Sequence, residues 1–251
     1  MRNLAKAQAL LEVINAESLD IVICELDVCK TESVLSCVTE VLNSEGRIDV
    51  LVNNAGAGFV RSTEQASEAE VKWVMEVNFH GVVRCTKAVL ATMREAQRGH
   101  IINISSIGGL VGQPFNEIYC AAKFAVEGYT ESLACYLQPH FGINFTAVEP
   151  GAITTEFTNS VFKQMSISGG VLDDPYKALF EQYVGAARAH FDGVTQTPDQ
   201  VADVVIDCIA NPQPPVRIRT SAWAEDFTQL KTQADPDGKK LQQLVSNKLL
   251  S

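Results

Sequence analysis

No run of apolar residues in this chain of 251 reaches the roughly 18 that a membrane-spanning helix needs, and the start does not read as a secretory signal. A cytoplasmic protein is the expectation. Basic patches longer than a few residues are also lacking, and the net charge is −10 with a sequence pI near 4.9. That balance argues against a nucleic-acid partner and serves solubility. The seven cysteines are scattered, with no CxxC and no metal-ligand spacing. Neither a disulfide framework nor a metal centre is expected, and an odd set of thiols reads as reduced. Internal repeats, low-complexity segments and a second domain are absent as well. What remains is 46% hydrophobic and 20% charged, enough for one sizeable α/β domain over residues 1–251.

Along the chain, strand-like and helix-like stretches alternate. Residues 4–15 carry Leu4, Ala7, Leu10, Leu11 and Ile14 on one helical face. DIVICELDV reads as a buried parallel strand ending at Asp27. A helix follows over 31–42, then a strand over 48–54 that runs into AGAG. That small-residue turn either lets backbone approach a flat ligand or is a plain strand-to-helix connection. A long helix spans 68–98, with Asn78 on its apolar stripe. A buried amide must find partners, and nearby backbone would suffice. Strands are expected over 100–106, over 143–150 and at PPVRIRT. The helix from Tyr119 should end near Pro139, since proline does not continue a helix. Residues 154–194 are looser. Phe157, Val161, Phe162 and Met165 within them form either a mobile apolar lid or an ordinary surface segment. Thr197-Pro198-Asp199-Gln200 is a capping box with proline at the first helical position, and the tail is polar and helical. The alternation predicts a doubly wound parallel sheet with helices on both faces.

The chemistry concentrates in Ser106–Lys123. Ser106 ends the apolar run HIINISS, Tyr119 follows thirteen residues later, and Lys123 comes four after that. Residues four apart on a helix are surface neighbours, so Tyr119 and Lys123 can act at one spot. A lysine ammonium lowers the pKa of a nearby tyrosine, and a tyrosine so tuned can exchange a proton with a substrate oxygen. Ser106 could hold that oxygen. The set suits alcohol–carbonyl interconversion with a hydride from a cofactor. YxxxK alone is common by chance, and a half-buried tyrosine beside an exposed lysine is the bland alternative.

Asn53–Gly56 (NNAG), Asn78 in VNFHG, Ser106, Tyr119-xxx-Lys123 and Pro150-Gly151 stand in the order of the short-chain dehydrogenase/reductase family, which this chain resembles over nearly its whole length. LDVC, PFNEIYCAAKFAVEGYTESLA and VEPGAITTEF are similar to its estradiol 17-beta-dehydrogenase and photoreceptor-type retinol dehydrogenase branch. The resemblance implies a Rossmann-like, three-layer α/β/α fold. It implies hydride transfer between NADP(H) and an alcohol or carbonyl of an apolar substrate, a steroid or retinoid. Tyr119 is then the acid/base, with Lys123 lowering its pKa and holding the nicotinamide ribose. Ser106 positions the substrate oxygen, and Asn78 is a kink that holds a relay water. Asp27 and Val28 would meet adenine, Asn54, Ala55 and Gly56 the adenine-ribose side, and Pro150, Gly151, Ile153 and Thr155 the nicotinamide end. Arg2 sits where NADP-preferring members carry an arginine for the 2′-phosphate, with NAD the alternative. The family's glycine-rich pyrophosphate turn is missing from the start of the chain. Its first strand, first helix and most of its second strand, roughly 35–40 residues on the size of a βαβ unit, are expected to be absent. Either Met1 is an internal methionine or the chain is a truncated, inactive one acting through subunit association. Helices 68–98 and 119–138 are the candidate faces for a homodimer or tetramer.

Overall fold

A computed structural model describes residues 1–191 and 193–249. Four strands form one parallel sheet in the order β1 (Val50–Asn53), β2 (Gly99–Ile104), β3 (Ile143–Glu149), β4 (Arg217–Arg219). Before β1 come α1 (Gln8–Glu17) and α2 (Thr31–Glu45); α3 (Glu68–Met75) and α4 (Gly81–Glu95) join β1 to β2, and α5 (Glu117–Phe141) joins β2 to β3. After β3 come α6 (Glu156–Ile167), α7 (Lys177–Phe191) and α8 (Pro198–Ala210), and after β4 come α9 (Ala222–Thr232) and α10 (Lys239–Leu249). Successive strand residues face opposite sides, and each face is covered. Ile101, Ile143 and Phe145 pack with Val89 and Met93 of α4 and Leu133 and Leu137 of α5. Ile102 and Val148 pack on the other side against Cys208, Val204 and Val205 of α8. Each such side chain contributes roughly 1.5–3 kcal/mol on full burial. Helices therefore lie on both faces, as the alternation predicts.

The first expected strand does not form. Residues 19–27 are irregular, with Val22 75% exposed. A strand needs a ladder partner, and none of the described residues pairs with the outer edge of β1. For the same reason Val52 stands 39% exposed inside its strand. The first amphipathic face also stays largely open: Ala7 and Ile14 are buried, while Leu4, Leu10 and Leu11 are not. The long helix over 68–98 breaks into α3 and α4 at a π turn, Glu76–His80, and ends at Glu95. The helix through Tyr119 passes Pro139, runs two residues further to Phe141 and is capped by Gly142, which takes a left-handed φ of 65°. Proline in a last turn removes one donor only, so the helix is ended by the glycine. The loose stretch after β3 holds two helices, α6 and α7. The capping box at Thr197 and Gln200 forms with Pro198 inside it.

Polar groups stitch the layers. Asn53 Nδ2 donates to Asn103 Oδ1 across β1–β2 at 2.8 Å, and Asn103 Nδ2 donates to Thr130 Oγ1 of α5 at 2.8 Å. Among the described residues no helix is long and apolar enough to cross a membrane.

His100, on β2, is 6% exposed, and its Nε2 lies 2.9 Å from Thr146 Oγ1. The Thr146 hydroxyl already donates to Pro215 O, so Nε2 carries the proton. Burial pushes the imidazole down to about 4. The unfolded chain therefore takes up a proton near pH 6.5 that the folded one refuses, and stability falls as pH drops from about 6.5 to about 4. The expected loss is roughly 2–3 kcal/mol. Denaturant melts of wild type and His100→Gln across that window check it, with the variant showing the shallower dependence.

Candidate active site

Parallel strands deliver their carboxyl ends to one edge of the sheet, and four turns meet there. The turn after β1 carries Asn54, Ala55 and Gly56, all exposed. A Cβ at Gly56 would stand 3.1 Å from Asn78 Oδ1 and 3.7 Å from Lys123 Nζ, so this turn rests on both residues. Asn78 is fully buried in the π turn. Its Nδ2 donates to Ala57 O at 2.8 Å and Val74 O at 2.9 Å, and its Oδ1 accepts from Ala57 N at 3.0 Å. The side chain is thus engaged by backbone, and the kink releases the carbonyl at Val74 that it caps.

Ser106 lies two residues beyond β2, and its Oγ accepts from Gly108 N at 3.0 Å. A Cβ at Gly108 would lie 3.4 Å from Ser106 Oγ, Tyr119 Cε1 and Cys120 Sγ alike, which puts serine and tyrosine side by side. Lys123, one turn along α5, is 6% exposed and donates to Ile104 O at 2.8 Å. Burial pulls its ammonium down to about 8, with Glu127 acting in the opposite direction. Tyr119 is half-buried, and burial pushes its hydroxyl up to about 12, opposed by a hydrogen bond from Ser106. The expected lowering of Tyr119 by Lys123 does not operate here. The ammonium lies 5.7 Å from the ring centroid and is turned to a carbonyl.

Pro150-Gly151 follows β3. Pro150 O accepts from Ile107 N at 3.0 Å, which holds the turn after Ser106. A Cβ at Gly151 would come within 2.9 Å of Trp223. Ile153 bridges to Gln196, and Thr155 caps α6 through a bond from Phe157 N to its Oγ1 at 3.2 Å. The apolar residues 157–165 lie on α6. The Phe157 ring centroid is 6.1 Å from that of Tyr119. A Cβ at Gly58 would meet Val161 Cγ2 at 2.3 Å, so α6 packs directly on the turn after β1.

Arg2 is exposed beside the segment 24–27, where Leu26 N donates to Met1 O at 3.2 Å. Asp27 Oδ1 accepts from Cys29 N at 3.1 Å. Val28 packs against Gly81, and its carbonyl accepts from Arg84.

Sequence reasoning missed several residues. Arg84 ties Val28 and Thr31 to Glu76, at 2.5 Å in the last case. Arg61 is 5% exposed and donates to Ser168 O, fastening the end of α6, and Gln65 does the same at Asp174 Oδ2, 2.6 Å away. Glu127 and Glu149 are buried carboxyls behind Lys123. Their only signal was a charge at core spacing, Glu127 four residues after Lys123 and Glu149 ending an apolar strand.

Residues 1–166 match the short chain dehydrogenase family. The chain is 40% identical to retinol dehydrogenase 8 of Bos taurus over 242 residues, covering 95% of this chain and 76% of that protein. It is 37% identical to human 17-beta-hydroxysteroid dehydrogenase type 1 over 197 residues, 78% of this chain and 59% of that one. A short chain dehydrogenase/reductase from Burkholderia phymatum, solved in complex with NAD, shares the fold at a TM-score of 0.77 and 21% identity, covering 96% of this chain and 84% of that one.

Asn78→Ala leaves Ala57 N, Ala57 O and Val74 O without their partner. Unpaired buried groups cost about 1–3 kcal/mol each, and relaxation offsets part of the sum. A loss of about 2–4 kcal/mol in urea melts is expected, and Asn78→Asp should lose at least as much, since it faces two carbonyls without a donor.

Proposed function

The chain belongs to the short-chain dehydrogenase family, and on that premise we propose that it interconverts an alcohol and a carbonyl on an apolar, steroid- or retinoid-like substrate with NADP(H). The observation that carries the reading is the meeting of Ser106, Tyr119 and Lys123 at the sheet's carboxyl edge, with Asn78 behind the turn after β1. NAD(P) supplies the hydride in this family, and the site fits such a group. The N–H groups of Ala55 and Gly56 carry no hydrogen bond among the described residues and lie on an exposed turn. Asn54, Ala55 and Gly56 would hold the adenine-ribose side, Asp27 and Val28 the adenine, and Pro150, Gly151, Ile153 and Thr155 the nicotinamide end. Arg2 would pair with a 2′-phosphate, which favours NADP over NAD.

Tyr119 exchanges the proton at the substrate oxygen, and Ser106 orients that oxygen. Lys123 would hold the ribose, and its charge would reach Tyr119 once the ammonium leaves Ile104 O. Burial raises the Tyr119 hydroxyl to about 12, so that cation is what the phenolate requires. Phe157, Val161 and Phe162 on α6 supply an apolar wall beside Tyr119. Among the described residues no strand pairs with the outer edge of β1, and Val52 is exposed there. Phe124 and Tyr136, about 40% exposed on α5, suit association of copies through 68–98 and 119–138 in a cytoplasmic protein.

Tyr119→Phe keeps the ring and removes the proton. Turnover should fall on the order of 10²–10⁴-fold while NADPH binding persists; turnover within about twofold of wild type would remove Tyr119 from the role. On a panel of steroid ketones, retinal and small sugars, the apolar substrates should lead, and preference for sugars would sink the lipid reading.

A further inference from the structure

Behind Lys123 the core holds two carboxyls that the reaction as described does not use. Glu127 lies one turn further along α5 and is 6% exposed; Glu149 ends β3 and is fully buried. A Cβ at Gly109 would stand 2.8 Å from Ser105 Oγ and 3.1 Å from Glu127 Oε1, so Ser105 and Glu127 share one small space. Glu149 Oε2 is 3.3 Å from the Arg219 guanidinium. The two carboxyls are within hydrogen-bond reach of each other. Taken as two carboxylates they fail the pairing rule for buried polar groups. Among the described residues both oxygens of Glu127, Oε1 of Glu149 and the Ser105 hydroxyl lack a well-formed hydrogen bond, and the Ser105 hydroxyl lies close enough to Glu127 to favour its charged form.

The nearby cations do not balance two charges. Arg219 forms a fork with Glu225, at 2.6 and 3.0 Å, and also donates to Pro236 O. Arg217 is paired with Glu131 at 3.1 Å. Among the described residues Lys123 is the remaining cation at this spot, and Glu127 is the charge that acts on it. Two like charges in one buried site cannot both persist, and the usual solution is a shared proton.

We propose that Glu127 and Glu149 hold one proton between them, and that their remaining single negative charge is the counter-ion that keeps the Lys123 ammonium charged and in place. The proton supplies the donor that two carboxylates lack, and no covalent bond changes. Charges then alternate from the site outward: Lys123, the diacid, Arg219, then the half-exposed Glu225. Both carboxyls are shifted up by burial first, Glu149 to about 7, with their mutual repulsion adding at Glu127 and Arg219 opposing at Glu149. The groups facing the pair are Lys123 and Glu131 on α5 and Arg217 and Arg219 on β4, with Glu225 of α9 behind Arg219. Glu127 and Glu149 are positioning residues. Their bearing on turnover rests on the role proposed for Lys123, whereas the shared proton does not.

The test is infrared spectroscopy of the whole chain at pH 7, with readouts that need no substrate. A protonated-carboxyl band should be present in wild type and vanish in both Glu127→Gln and Glu149→Gln, because the new amide donates to the remaining carboxylate. No such band in wild type, or a band that survives either substitution, overturns the sharing. The sign of the linked effect is set by the raised pKa values. Above about pH 4.3 the unfolded chain releases a proton that the folded pair keeps, so stability should fall as pH rises through about 7, and each variant should flatten that fall. If neither variant folds, the wild-type band decides: it should bleach above the ordinary carboxylate range, and bleaching within that range overturns the proposal. In an active form, Glu127→Gln combined with Glu149→Gln, which removes that single negative charge, should move the alkaline limb of kcat/KM toward acid by about one pH unit, a change that a purely structural role would not cause. A limb that stays put overturns the counter-ion role while leaving the infrared result to judge the shared proton.

Discussion

The Asn78 amide ties two elements together through its hydrogen bonds. One is the turn leaving β1, gripped through both the N–H and the carbonyl of Ala57. The other is the helix layer, gripped through Val74 O at the π turn. A regular helix would use that carbonyl in its own ladder. The π turn frees it, and an amide side chain takes it up without exposure to water. Because Gly56 then lies against both Asn78 and Lys123, the position of the turn decides how close a flat ligand comes to the lysine. The turn after β1 takes its position from this junction, and the wider helix turn at 76–80 is a distortion of a kind frequent at functional sites.

Burial does the electrostatic work. Tyr119 rises to about 12, Lys123 falls to about 8, and Glu149 rises to about 7. Each shift is led by loss of water, and the partners correct it. Ser106 works on the tyrosine, Glu127 on the lysine and Arg219 on Glu149. The same dry environment that makes an unpaired charge costly also makes a well-placed one effective. Burial lowers the lysine, and Glu127 behind it acts in the opposite direction.

The lid-like segment has a different character. α6 carries Phe157, Val161 and Phe162, exposed or half-buried, and covers Gly58 and Tyr119. It is fastened by polar contacts from the preceding loop, Arg61 to Ser168 and Gln65 to Asp174. That apolar surface rests on the turn after β1, while the strands of the sheet are anchored by the Asn53–Asn103–Thr130 bonds and the two apolar faces.

Patterns of near neighbours were legible in the sequence by itself. The alternation of strands and helices, the spacing of Tyr119 and Lys123 along α5, the capping box at Thr197 and the odd amide at Asn78 all depend on residues a few positions apart, where helix and strand periods apply. Only the tertiary structure decided what lies opposite each of these. DIVICEL has the composition of a strand but finds no ladder partner, so it stays irregular. Lys123 is near Tyr119 in sequence yet turns to Ile104 O, 19 residues away, because burial demands an acceptor. Glu127 and Glu149 read as ordinary charges until α5 packs on β3 and removes both from water. Periodicity fixes the face a side chain takes; the energy of that placement depends on desolvation and on partners distant in sequence, which no local pattern encodes.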